Sequence, residues 1–401
     1  MRVGAAPRVS VVVVNHGRAG DAVTALRGVR DGVRYGGELE LLCVDNSDDP
    51  GEAGVIRGAV PEAAVLTMPN RGFGAACNLA VERATGEVVG FLNSDARPDE
   101  NWVAAAVETL RDKGIAAVAS KVLDWDGATI DYAGAAVSWF GMGYKPDHTK
   151  ENGPEFDRPK DVLFPTGAAM FVRRDIFRAV GGFDERYFMF YEDVDLGWRL
   201  NLRGHRVRYE PRSLAYHRHH ASMAGAGEFR ELYLLELNAL ITLYKNLGDR
   251  ALRRVLPAAL ALAVRRGTAR GGVDPRQFEL TRRGTGDDEA SMMIPRTAVA
   301  PLLAIDRFVE LLPGLGAERR RVQRARRRSD RALRPLLGTV FEPLVDLPDY
   351  RSAHDVLVAA FGVDTAFRGS GLRRLGRALV DWPRSLTRTG RDRERPAEEW
   401  E

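Results

Sequence analysis

Four groups of residues in this chain of 401 amino acids have the types and spacing to do chemistry. The first is Asn93-Ser94-Asp95, which follows the apolar run Val88–Leu92 and precedes a proline. A carboxylate at a strand end, two residues after another oxygen donor, can hold a hard divalent cation and leave positions open for phosphate oxygens. The same triplet could instead cap a helix starting near residue 99. The second group is Glu192-Asp193, with Asp195 close behind, at the start of an amphipathic stretch over 192–204. Acids are welcome in a first helical turn because of the helix dipole. The aromatic run Tyr187-Phe188-Met189-Phe190-Tyr191 beside them would also desolvate a carboxylate and raise its pKa toward general-base duty. The third is His217, with His219 and His220 next to it. Neutral imidazole is a common metal ligand, and a solvated basic loop is the alternative. The fourth is Asn70-Arg71-Gly72-Phe73-Gly74, entering a helix. Its glycines would let the backbone approach a ligand, and the helix start would offer free N–H groups.

These groups need a scaffold, and the first 100 residues alternate strand and helix signals. Val9–Val14, Leu39–Val44, Ala63–Met68 and Val88–Leu92 read as strands buried on both faces; 20–32 and Ala75–Ala84 read as helices. Polar residues stand directly after the strands: Asn15, Asp45-Asn46, Asn70 and Asn93-Ser94-Asp95. In open α/β sheets ligands bind beyond the carboxyl ends of the strands, so these positions mark a site. Residues 115–165 read as less regular. Further on, Arg174–Val180 and 192–204 read as helices and Arg206–Glu210 as a strand. His217 lies 24 residues after Asp193, room for one helix and one strand to bring it back to the same sheet edge.

Composition sets the bounds. The chain is 45% apolar and 28% charged, which excludes wholly disordered and collagen-like classes. Its 59 Lys and Arg against 55 Asp and Glu leave a net charge of +4, too mild to argue for nucleic-acid binding. Two cysteines, Cys43 and Cys77, sit in apolar segments and read as buried thiols rather than a disulfide or metal framework. The N-terminal segment shows no signal-peptide pattern, and no stretch reaches the roughly 20 apolar residues of a membrane span. A cytoplasmic protein is therefore expected.

Taken in order, the segments VSVVVVNHGR, LLCVDNSDD, MPNRGFGAACNLA, GEVVGFLNSDARP, FPTGAAMFVRRDIFRAVGGFDERYFMFYEDVDLGWRLNLRGHRVRYEP and AYHRHHAS resemble family 2 glycosyltransferases of the GT-A fold. They span about residues 8–222, and the subgroup resembles bacterial rhamnosyl- or galactofuranosyltransferases of cell-surface polysaccharide assembly. The resemblance implies an α/β GT-A fold, Rossmann-like, with a mostly parallel sheet between helices. It implies inverting transfer of a sugar, rhamnose or another hexose, from a dTDP- or UDP-linked nucleoside diphosphate. The acceptor would be a hydroxyl on a glycan or a polyprenyl-linked glycan, and the cofactor Mg²⁺ or Mn²⁺. Asn93-Ser94-Asp95 falls at the family's DxD metal motif, with Asn in place of the first Asp. Asp95 is then the firmer ligand. Asp193 matches the family's catalytic base, and Glu192 would support it. His217 matches a histidine that completes the metal shell, with His219 and His220 as alternatives. Asn15, Asp45, Asn46, Gly72 and Asn78 match positions that line the nucleotide, joined by Asn93 and Ser94, and Gly167 lies in a loop that faces the acceptor.

Two rival readings stand beside this one. A sugar-1-phosphate nucleotidyltransferase would want a Gly-rich, Arg- or Lys-bearing loop after the first strand, where this chain has Asn15-His16-Gly17-Arg18. A non-catalytic relative that binds carbohydrate or aids assembly is favoured by the Asn93 departure alone.

Composition shifts after about residue 225, which predicts a catalytic domain over 1–228 and a mainly helical region over 229–401, beginning with a long helix at 229–247. Residues 319–334 hold nine arginines and one acid, Asp330. They read either as a solvated face or interdomain salt-bridge partner, or as a surface for anionic lipid head groups. No aromatic residues are interleaved with them, so nucleic acid is not an expected partner.

Overall fold

The run of valines at the start of the chain becomes the strand around which the sheet is built. The computed structural model describes residues 6–218, 227–272, 294–338 and 348–366. In chain order, β1 (Val9–Asn15), α1 (Ala19–Arg27), β2 (Leu39–Asp45), α2 (Gly51–Ala59), β3 (Ala64–Thr67), α3 (Phe73–Arg83) and β4 (Val88–Asn93) form a repeating strand–helix unit. β5 (Ala96–Pro98), α4 (Trp102–Thr109), β6 (Ile115–Asp124), β7 (Ile130–Tyr132), the hairpin of β8 (Ala136–Val137) and β9 (Gly143–Tyr144), and β10 (Lys160–Val162) follow. β11 (Ala169–Arg173), α5 (Arg174–Val180), α6 (Glu192–Leu202) and β12 (Arg206–His217) complete the α/β part. The rest is helical: α7 (Glu228–Asn246), α8 (Asp249–Gly271), α9 (Arg296–Arg324), α10 (Asp330–Leu333), α11 (Pro348–Phe361) and α12 (Val363–Ala366).

The sheet order is β10-β12-β6-β11-β4-β1-β2-β3. β3, β2, β1 and β4 are parallel, as are β6 and β12, and antiparallel β11 joins the two blocks. Register sets the edge: Asn15 pairs with Asp45, and Val14 with Asn93. The strand ends that carry polar residues therefore finish side by side.

Two elements differ from the expectation. β6 is a ten-residue strand inside the segment expected to be irregular; its sequence, IAAVASKVLD, is rich in alanine, which is depleted in strands. It is buried nonetheless, and packing between β11 and β12 decides its conformation. β12 does not stop at Glu210 but runs to His217, across Pro211, with a register shift between Glu210 and Leu214. Proline is tolerated in strands at such irregularities. The longer strand is what carries His217 to the edge.

Apolar residues form two cores. One surrounds the sheet and includes both cysteines, which are buried and unpaired with each other. The other joins Tyr187, Tyr191, Val194 and Trp198 of the α/β part to Leu240, Ile241 and Leu243 of α7 and to residues of α8 and α9. A buried charge network lies beside it. Lys245 of α7, with no solvent exposure, pairs with Asp184 and with Asp195, 2.8 Å from the latter. Asp195 also binds Arg199 at 2.7 Å and accepts from Asn246 at 3.0 Å. Among the described residues, no helix is long and apolar enough to cross a membrane.

Breaking a buried ion pair from one side leaves its partner charges uncompensated, at a cost of about 3–5 kcal/mol. Lys245→Ala should lower the unfolding free energy by that order in urea denaturation; a loss of only a few tenths would show that the network carries little stability.

Candidate active site

Asn15 ends β1 fully buried, and its amide donates to Asp45 Oδ1 at 2.9 Å and to Glu52 at 3.0 Å. Its Oδ1 accepts from Arg18 N, so this one amide ties the ends of β1 and β2 to the start of α1. Asp45 Oδ1 also takes Ser47 Oγ at 2.6 Å. Asn46 is buried, and its Oδ1 meets no partner. A buried acceptor without a donor costs free energy, and here it stands at the strand edge where a ligand could supply the donor. Gly72 sits at φ +92°, and a Cβ there would come within 2.1 Å of Phe188 O. Glycine thus lets the start of α3 press against the 181–191 loop, where Phe73 N donates to the same carbonyl. Asn78, expected near the nucleotide, is occupied otherwise. Its amide binds Phe183 O and N, both at 2.9 Å, and fastens α3 to that loop.

Asn93 ends β4, Ser94 and Asp95 form the turn into β5, and β5 pairs with the end of β12 so that Ala96 faces His217. Asp95 Oδ1 lies 3.1 Å from His217 Nε2, and Asn93 Nδ2 lies 3.4 Å from the same nitrogen. The other imidazole nitrogen, Nδ1, is 2.8 Å from Asp131 Oδ2. Asp131, in β7, is a site residue that the sequence reading missed. Its second oxygen binds Lys145 Nζ at 2.6 Å. Burial alone would lower the pKa of His217, but the two carboxylates outweigh it and hold it at about 9. Burial would likewise raise Asp95 and Asp131, and the imidazolium between them pulls both below the ordinary carboxylate range. His219 and His220 lie outside the described residues.

Glu192 and Asp193 open α6 directly after two residues in the left-handed region, Phe190 (φ +66°) and Tyr191 (φ +71°). Such a pair costs on the order of 1–3 kcal/mol per residue and persists only where surroundings impose it. Asn238 of α7 does so, donating to Met189 O at 2.8 Å and to Phe190 O at 2.9 Å. Tyr191 adds its hydroxyl, which accepts from Gly143 N and donates to Gly141 O. The three acids then part. Asp195 points into the charge network, while Asp193 Oδ2 accepts from Gly167 N at 2.8 Å. The next residue, Ala168, accepts from Asn93 N at 3.0 Å, so this backbone step links Asp193 to the Asn93–Asp95 turn. Glu192 is buried with Oε2 unpartnered. Burial, then the charge of Asp193, pushes its pKa up to about 8. Burial also raises Asp193, against the opposing hydrogen bonds from Gly167 and Val194.

Two kinds of carboxyl therefore share the edge. Asp95 is strongly ionised and paired with an imidazole, a set of donors that suits a divalent cation together with the Asn93 amide. Among the described residues, no cluster of three or more His, Cys, Asp or Glu converges on one metal position. Asp193 is a basic carboxylate held beside a neutral acid.

Residues 10–181 match the glycosyl transferase family 2 model, so the chain carries a domain of that family. It is 30% identical over 225 residues to the O-antigen biosynthesis protein RfbC of Myxococcus xanthus, covering 54% of this chain and 18% of that protein. It is 30% identical over 202 residues to a pre-mycofactocin glycosyltransferase of Mycobacterium tuberculosis, covering 50% of this chain and 40% of the relative. Against the N-acetylglucosaminyl-diphospho-decaprenol L-rhamnosyltransferase of the same species, identity is 28% over 212 residues, covering 46% and 68%. The chain thus spans well under half the length of the first two relatives. The crystal structure of GalNAc-T7 with UDP, GalNAc and Mn²⁺ superposes with a TM-score of 0.51 at 16% identity, over 64% of this chain and 52% of that one. The fold is that of GT-A glycosyltransferases.

Because the folded pKa of Glu192 lies above its unfolded value, the fold holds a proton that the unfolded chain gives up, and stability falls as pH rises toward 8. Glu192→Gln mimics the neutral form. Its melting temperature should exceed that of the wild type by several degrees near pH 9 and by little near pH 4. Equal temperatures at both pH values would contradict a buried neutral Glu192.

Proposed function

We propose that this family 2 domain moves a sugar, rhamnose or another hexose, from a dTDP- or UDP-linked nucleoside diphosphate to an acceptor hydroxyl on a glycan or polyprenyl-linked glycan, with inversion at the anomeric carbon. The names of the relatives, an O-antigen biosynthesis protein and a rhamnosyltransferase on a decaprenol-linked sugar, support the acceptor class. The observation that carries the reading is Asp193: a carboxylate of raised pKa, oriented by Gly167 N–H, one backbone step from the Asn93–Asp95 turn.

In this reading Asp193 takes the proton from the acceptor hydroxyl as the hydroxyl attacks. A base works best when its pKa approaches the working pH, and burial moves Asp193 that way. Glu192, neutral beside it, adds no second negative charge to repel the first. Gly167 holds the Asp193 oxygen and borders the acceptor side. Asn46 meets the nucleoside through its unpartnered Oδ1, with Asp45 beside it, while fully buried Asn15 holds the ends of β1 and β2 in place behind them. Asp95, His217 and the Asn93 amide fit Mg²⁺ or Mn²⁺: Asp95 Oδ1 and His217 Nε2 stand 3.1 Å apart, a spacing suited to neighbouring ligands of one ion. Such an ion supplies positive charge opposite the departing diphosphate. Asp131 holds the proton on His217 Nδ1 and turns Nε2 toward Asp95, the arrangement in which a carboxylate orients a metal-binding histidine. The reading places the enzyme in the cytoplasm at the inner face of the membrane, where a polyprenyl-linked acceptor would present its sugar.

Two measurements test it. Asp193→Asn should cut nucleoside diphosphate release from the preferred donor by about 10²- to 10⁴-fold while donor affinity by calorimetry stays unchanged; turnover near the wild-type level would remove Asp193 as the base. Since His217 is protonated at neutral pH, Mn²⁺ must displace a proton from Nε2. Calorimetry at about pH 7 in buffers of different ionisation enthalpy should show release of close to one proton per Mn²⁺ bound. Binding without proton release would place the ion elsewhere.

A further inference from the structure

The arginine-rich stretch divides into inward and outward groups. Arg319 donates to the carbonyls of Tyr244 and Leu247 and pairs with Asp249. Arg326 donates to the Asn246 carbonyl of α7 and pairs with Asp330 at 2.8 Å, and Arg328 reaches Asn201 at 3.2 Å. These three staple α9 and the segment after it onto α6 and α7. Arg320, Arg321 and Arg324 do something else. With Arg203, just past the end of α6, and with Ala317 and Ala325, they line an open cleft of about 570 Å³.

Four guanidinium groups around one cleft repel each other, and little in the protein offsets them. Arg321 pairs with Glu318. Among the described residues, Arg203, Arg320 and Arg324 have no carboxylate within salt-bridge distance, and Arg203 gives one donor to Ala179 O at 2.6 Å. Burial and the positive charges of Arg321, Arg199 and Arg327 lower the pKa of Arg203. The negative end of the α6 dipole favours Arg203, but Arg320 and Arg324 belong to α9 and lie apart from that helix end's own last turn. Guanidinium forks match phosphate oxygens in shape and charge, and several together suit a dense anion. The cleft is also separate from the candidate active site. Glu192 and Asp193 open α6 and Arg203 follows its last residue, and a helix of eleven residues spans about 16 Å.

We propose that this cleft is a second anion site, which takes a phosphate-bearing group: the head group of an anionic phospholipid, or a soluble polyphosphate. The inference does not rest on the transferase reading. Arg320 and Arg324 are exposed, so changing them leaves the packing of α9 intact.

The test compares the full chain with Arg320→Glu/Arg324→Glu, and with Arg320→Gln/Arg324→Gln in case charge reversal disturbs folding. Inorganic pyrophosphate is titrated by calorimetry at low salt, and vesicles of phosphatidylglycerol or of phosphatidylcholine are tested by co-sedimentation. The wild type should bind pyrophosphate or the phosphatidylglycerol vesicles, and not the phosphatidylcholine vesicles. Both double variants should lose at least about tenfold in affinity for that probe, with melting temperature and donor-nucleotide binding unchanged. Binding to the anionic vesicles alone identifies a lipid head group as the source; binding to pyrophosphate identifies a soluble one. Failure of the wild type to bind either probe, or equal binding by the variants, overturns the site.

Discussion

The placement of Glu192 and Asp193 in the candidate site depends on two residues whose backbones would not adopt their conformation unaided. Phe190 and Tyr191 sit side by side at positive φ, without the freedom of glycine. The turn they make sends α6 off at the angle that lifts Asp193 to Gly167 and drives Asp195 into the interior. Asn238 holds that turn through two carbonyls, Tyr191 through the β8–β9 hairpin, and Tyr187 through Thr242. Asn238 and Thr242 both belong to α7. The helical region is therefore part of what shapes the candidate site, and it does so through a shared core and the Lys245 network.

The same edge sets its carboxyls apart by surroundings alone. Asp95 and Asp131 are buried, yet the imidazolium of His217 between them favours their ionised forms. Glu192 is buried and Asp193 half-buried beside it, neither with a cation of its own in contact, and desolvation raises both. One pair is thus suited to holding positive charge and the other to exchanging a proton. Separating titratable groups in this way is how one site supports both tasks at a single pH.

Much of this was legible beforehand. Strand-sized β-branched runs that end in Asn15, Asp45 and Asn93 read directly as a parallel sheet with a polar edge, and the Glu192-Asp193 pair beside five aromatic or apolar residues announced its own desolvation. Other parts were hidden for physical reasons. Asp131 lies in a three-residue strand within an alanine-rich segment where periodicity is weak, and only the pairing of β7 with β6 brings it to His217. Asn78 sits in the right segment but spends its amide on the Phe183 backbone, a long-range contact that no local pattern reveals. Asn238 reads as an ordinary polar residue in a helix; its role exists only because a turn 48 residues earlier needs two donors. The arginines of 319–334 looked alike in sequence and differ in the structure by which of them reach protein partners.

Above all, α7 holds the Phe190–Tyr191 turn ahead of Asp193 in its strained conformation. Asn238→Ala removes both hydrogen bonds while leaving Asp193 and the charge network in place. Hydrogen–deuterium exchange over residues 188–194, measured together with donor turnover, tests this most directly. Exchange in that segment should accelerate and turnover should fall by at least about tenfold, with α8 and α9 as protected as in the wild type. Unchanged protection with unchanged turnover would mean that the turn holds itself, and that the helical region plays no part in positioning Asp193.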